Sequence, residues 1–147
     1  MNHDGVYSLL NQFSIWTKLQ TSIVWFLRFN TFILAALKSS RSRNITRGPL
    51  RVHELRHTTH EIVRVVQELA FAKELELIRT GKGDSLGKVL RCTGYLSPLR
   101  KLNPIIVDVI LRVGGRLQRA SIGYNASHPV ILPQKHPVTQ LIINHYH

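Results

Sequence analysis

Residues 53–57 read His53-Glu54-Leu55-Arg56-His57, the pattern H-E-x-x-H, with His60 one further turn along. On a helix, histidines four apart share a face and can hold Zn²⁺ between them, leaving Glu54 as the general base for a metal-bound water. Catalytic zinc needs a third protein ligand, and the sequence offers neither a Gly-containing extension to a third histidine nor a helix presenting a glutamate. The competing reading is a polar, solvated side of an amphipathic helix. A second imidazole pair, His145 and His147, begins a zinc site only with further ligands.

Other chemistry is thinly represented. No G-x-x-x-x-G-K-[ST], G-x-G-x-x-G or G-x-S-x-G string occurs, and three aspartates leave little for a carboxylate metal site. The single Cys92 excludes an internal disulfide and a multi-cysteine zinc cluster within this sequence, and points to an intracellular setting. Charge is the strongest compositional signal: 20 Lys and Arg against 8 Asp and Glu give +12. Such a field attracts polyanions, nucleic acid first among them. Two clusters of cations are the candidates for phosphate contact: Lys38, Arg41, Arg43, Arg47 and Arg51, and then Arg112, Arg116 and Arg119.

The elements that would carry these groups follow from periodicity. With 147 residues, 44% of them hydrophobic, the chain has material for one core, not two full domains. Residues 1–11 read as a flexible N-terminus. Trp16, Leu19, Ile23, Phe26, Ile33 and Leu37 recur at helical intervals and predict a helix over 12–38. Its apolar run, Ile23 to Leu37, is about 15 residues and holds Arg28 and Asn30, which falls short of a bilayer span. Residues 38–51 form a basic, Ser-rich linker stopped by Gly48-Pro49. Leu55, Ile62, Val66, Leu69 and Ala72 predict a second helix over 50–80, with Gln67 among the residues on its polar side.

Beyond Gly81 the texture turns to glycine, proline and β-branched residues. Ile105–Val107 and Val109–Val113 are strand candidates separated by Asp108, Gly114-Gly115 suits a bulge or tight bend, and Val130–Leu132 is a third short strand candidate. Pro137 opens a last helix whose stripe, Val138, Leu141 and Ile142, runs into the C-terminus as if the chain were cut inside the element. The expected fold is α+β, mainly α: two long N-terminal helices, a short β-hairpin segment and a truncated C-terminal helix.

LRVGGRL (111–117) followed by HPVILPQKHPVTQLIINHYH (128–147) resembles the part of BEL/Pao-type LTR retrotransposon polyproteins that leads into the integrase zinc-binding domain. FSIWTKLQTSIVWFLRF (13–29) and GPLRVHEL…IVRVVQELAF resemble the two helices that precede it, so the likeness extends over about residues 12–147. The resemblance implies that His147, or alternatively His145, is the first ligand of a His-His-Cys-Cys zinc site whose other three ligands are not in this sequence. It implies no cofactor in this fragment and zinc in the complete domain. The hairpin departs from the family, which closes it with an Asp-Gly-type turn; here Val109 fills the left-handed position and predicts a distorted hairpin.

Together these readings divide the chain into 1–11, the two-helix region 12–80, the loop and β segment 81–135, and the start of the zinc-binding domain, 136–147. They predict a non-catalytic polyprotein fragment with nonspecific DNA or RNA as partner. The apolar face of the first helix, without its neighbouring polyprotein segments, predicts self-association. The alternatives are a small zinc metallopeptidase built on His53, Glu54 and His57, and a helical partner-binding module.

Overall fold

A computed structural model of the chain describes residue 8 and residues 10–37, 48–80, 98–114 and 123–147. The fold is mainly helical with a short antiparallel hairpin and a C-terminal helix, as the sequence predicts. In chain order the elements are α1 (Trp16–Leu37), α2 (Val52–Ala70), α3 (Ala72–Thr80), a 3₁₀ turn (Pro98–Leu102), β1 (Pro104–Val107), β2 (Ile110–Val113), α4 (Tyr124–Ser127) and α5 (Pro137–Tyr146). They fall into two compact units, Met1–Ile62 with Pro137–His147, and Val63–His136, so that α2 contributes to both.

In the first unit α1 buries Trp16, Leu19 and Val24, and α5, opened by Pro137, buries Val138, Thr139 and Leu141. α1 and α5 pack on one another. Gln20, Val24 and Arg28 stand four apart on one face; Val24 is buried, and Gln20 and Arg28 reach the first turns of α2. Gln20 Nε2 donates to the Leu55 carbonyl at 3.0 Å and to Thr59 Oγ1 at 2.7 Å. The predicted stripe is covered only over its first half: Phe26 is 60% exposed, Ile33 37% and Leu37 76%. Beyond Arg28 the large apolar side chains of α1 stand in solvent, Phe29 at 58%, Phe32 at 45% and Leu34 at 55% exposed. At 22 residues the helix is long and apolar enough to cross a membrane by length and composition, unlike the 15-residue run counted in sequence.

The second unit is built differently. The predicted single helix over 50–80 is broken at Phe71, with the helical hydrogen bonds kept on either side: Phe71 N–H to Gln67 O at 2.8 Å and Leu75 N–H to Phe71 O at 2.9 Å. That break turns Phe71 and Leu75 into a cluster with Leu99, Leu111 and Ile131, against which Val113 packs. β1 and β2 pair in regular register, Pro104 opposite Val113 through Val107 opposite Ile110. The turn between them places both Asp108 (φ 50°) and Val109 (φ 66°) in left-handed backbone, the geometry of a type I′ turn. The hairpin is therefore undistorted, and the misfit that the sequence predicts is confined to Val109.

Val130 bridges Arg112, and Ile131 N–H donates to Leu111 O at 3.1 Å, so the third predicted strand forms as a short flanking segment on β2. Past the hairpin, Gly114 N–H donates to Asn103 O at 3.0 Å. A Cβ at Gly114 would stand 2.6 Å from that oxygen, which is why only glycine fits the predicted bend.

Gln67 organises this unit. It is 1% exposed although the sequence places it on the polar side of α2. Its Nε2 donates to Leu111 O at 2.9 Å and to Ile131 O at 2.6 Å, while its Oε1 accepts from Leu111 N–H at 2.8 Å. One side chain thereby partners the Leu111 N–H of β2 and the Ile131 carbonyl of the flanking segment, and adds a second donor to the Leu111 carbonyl, which Ile131 N–H already meets.

Candidate functional site

The H-E-x-x-H string lies on the first turns of α2, as predicted, with His53 and His57 exposed and His60 half-buried. Glu54 is committed elsewhere. Arg51 N–H donates to Glu54 Oε2 at 2.8 Å, the reciprocal half of a capping box three residues into the helix. Arg28 Nε and Nη2 meet Glu54 Oε1 and Oε2 at 2.8 and 2.7 Å, a bidentate pair whose side chains are 12% and 14% exposed. Arg28 also donates to the carbonyls of Gly48 at 2.9 Å and Pro49 at 3.3 Å, which ties the entry of α2 to α1.

The electrostatic consequence is direct. The hydrogen bonds from Arg28, then that from the Arg51 backbone, hold the Glu54 carboxyl down to about 2. A base that weak takes few protons at neutral pH, so Glu54 is poorly suited to activate a metal-bound water. Among the described residues no three His, Cys, Asp or Glu side chains are grouped as a metal site would require. The arrangement is that of a helix start locked by an ion pair.

The C-terminal imidazoles are presented in the open. His145 lies in the last turn of α5 and His147 follows the helix, both exposed, with His147 N–H on Ile143 O at 3.0 Å. The His145 and Tyr146 rings meet edge to face at 4.9 Å. Of the predicted phosphate-contacting cations, Arg51 is exposed and Arg112 half-buried, with Arg112 Nη1 donating to the His128 carbonyl at 2.9 Å. Arg112 thus pins the 128–130 segment to the hairpin. Lys38, Arg41, Arg43, Arg47, Arg116 and Arg119 lie outside the described residues, as does Cys92.

Two residues with structural consequence escaped the sequence reading. Arg28 counts there only as a charge inside an apolar run, yet it is the partner of Glu54; its four-residue spacing from Gln20 and Val24 is the signal that could have found it. Gln67 carries no such signal, because an amide among charged neighbours looks solvated until its acceptors are known. The chain matches no family model, no curated protein and no solved structure.

Proposed function

We propose that the chain is a non-catalytic segment of a BEL/Pao-type retrotransposon polyprotein, leading into the integrase zinc-binding domain, and that it associates with nucleic acid without sequence preference. The observation that carries this reading is the C-terminal run of elements: β2 ending at Val113-Gly114, a flanking Val130–Ile131 bridge, and α5 opened by Pro137 with His145 and His147 exposed at its end. This is the order of parts in the strings that resemble the family. The engagement of Glu54 by Arg28 and Arg51 favours a non-catalytic role over the metallopeptidase alternative.

The surplus of twelve positive charges supports the nucleic-acid half of the reading. Filter binding of the chain to duplex DNA across a salt series tests it. Contacts to phosphate release counterions, so affinity should fall steeply as salt rises, with a log–log slope of roughly −0.9 per phosphate neutralised. Absence of binding at low ionic strength, or affinity indifferent to salt, would overturn it. Zinc analysis separates the alternative: stoichiometric metal lost in His53→Ala would favour the peptidase.

A further inference from the structure

We infer that the outer half of α1, Trp25–Leu37, is a docking surface for an anionic lipid membrane, lying along the bilayer interface instead of spanning it. The inference goes beyond the retrotransposon reading and does not depend on it. Trp25, Phe26, Phe29, Phe32, Leu34 and Leu37 are between 45% and 76% exposed. At about 100° per residue, these side chains spread over an arc of roughly 200° of the helix, broken only by Asn30. A helix covered by a single packed partner shows an apolar stripe of roughly 100°. A second helix would leave much of this arc in water, whereas a fluid acyl phase covers whatever arc is offered.

Arg28, which in sequence argues against a bilayer span, is not on that arc. Its guanidinium is turned to Glu54, so the one charge in the segment is neutralised by its own fold. Its Cζ stands 5.0 Å from the centroid of the Trp25 ring. The exposed segment of 13 residues is about 20 Å long, less than the roughly 30 Å hydrocarbon core, which gives a helix lying in the interface. Charge complementarity selects the lipid. Apart from the paired Arg28, the sequence between Asp4 and Glu54 holds six Lys or Arg and no acid, and each cation near an anionic leaflet adds attraction to the burial of the aromatic face. Trp and Phe at headgroup depth are the side chains such an interface favours.

The test is co-sedimentation of the full chain with vesicles of phosphatidylcholine alone and of phosphatidylcholine with about one third phosphatidylserine, read together with tryptophan emission. The chain has two tryptophans: Trp16 is 3% exposed and Trp25 54%. The expected result is pelleting with the anionic vesicles at least tenfold stronger than with the neutral ones, with a blue shift that survives Trp16→Phe and vanishes in Trp25→Phe. The double variant Phe29→Asp, Leu34→Asp should lose at least tenfold in binding while keeping its circular dichroism. In the unaltered chain, brominated acyl chains should quench Trp25, which keeps the test decisive should the double variant misfold. Equal pelleting with both vesicle types, binding untouched by the double variant, or a concentration-dependent blue shift without lipid, the signature of a second copy on this face, would each overturn the proposal.

Discussion

Two glutamines reach across a helix seam to backbone carbonyls, and the difference between their surroundings separates the two units of the molecule. Gln20 bridges α1 to Leu55 and Thr59 at a half-buried site, beside an arginine–glutamate pair and a helix that runs on uncovered. Gln67 is almost wholly buried, bonds through both ends of its amide, and sits over a cluster of five buried apolar residues. The same side chain is therefore a surface tie in one unit and the structural centre of the other. A buried hydrogen bond matters chiefly through what its loss leaves behind.

That contrast predicts its own largest test. Gln67→Ala removes the partners of Leu111 N–H and Ile131 O in a dry site, where each orphaned group costs roughly 1–3 kcal/mol. The expected loss is about 4 kcal/mol, a fall in Tm of roughly 10 °C for a chain of this size. Gln20→Ala, whose abandoned groups can reach water, should cost about 1 kcal/mol. Urea melts of the two variants side by side would measure the gap. Equal losses would mean that the two seams are not built differently.

The hairpin offers a smaller effect of opposite sign. Val109 holds φ 66° while 51% exposed, so its β-branched side chain gives little packing in return for left-handed backbone. Such a conformation costs roughly 1–2 kcal/mol in any residue but glycine, part of which Val109→Gly gives back through greater freedom of the unfolded chain. The net expectation is stabilisation by about 1 kcal/mol, measured by thermal melting. A destabilised variant would show that Val109 packs against something and that the turn carries no strain.

Period alone is enough to place α1, α2 and α5, because the spacing of Trp16, Leu19, Leu55, Ile62, Val138 and Leu141 has no other economical reading. The hairpin and its bend are legible from β-branched runs and from Gly114. Period says that a face is apolar and is silent on how far along the helix it is covered, so the burial of Trp16 and Leu19 and the exposure of Phe26 and Leu37 on one stripe come from the structure alone. The break at Phe71 and the burial of Gln67 depend on partners some 40 to 60 residues away, a relation that no local pattern encodes. In the H-E-x-x-H string the residue types were visible and the role of Glu54 was not, since it is decided by Arg28, 26 residues upstream.

Acid should act on the two units in different windows. His136 is buried and its pKa is lowered by that burial, so the unfolded chain binds a proton more readily than the folded one. Stability from this source is present above about pH 6.5 and is lost as the pH falls below it. Glu54, held down to about 2 against an ordinary 4.5, contributes stability that is present above pH 4.5 and disappears as the pH falls toward 2. Glu54→Gln should therefore flatten the lower part of a plot of Tm against pH and leave the upper part in place, whereas His136→Gln should do the reverse. If Glu54→Gln leaves the acid limb unchanged, the ion pair with Arg28 does not hold the start of α2 in solution.

The smallest expected effect is the most informative about the outer half of α1. Phe29 is 58% exposed, with Phe32 and Leu34 beside it at 45% and 55%. A serine there removes apolar surface already in contact with water, so Phe29→Ser should change the free energy of unfolding by no more than about 0.5 kcal/mol. The same deletion of a large side chain inside the other unit, Leu111→Ala, should cost about 3 kcal/mol through lost burial and the cavity left behind. Chemical denaturation of the two variants compares a covered apolar residue with an uncovered one in a single chain. A cost above about 2 kcal/mol for Phe29→Ser would mean that the face is occupied in the isolated protein, in which case a copy of the chain, and not a lipid phase, is what the aromatic arc was already holding.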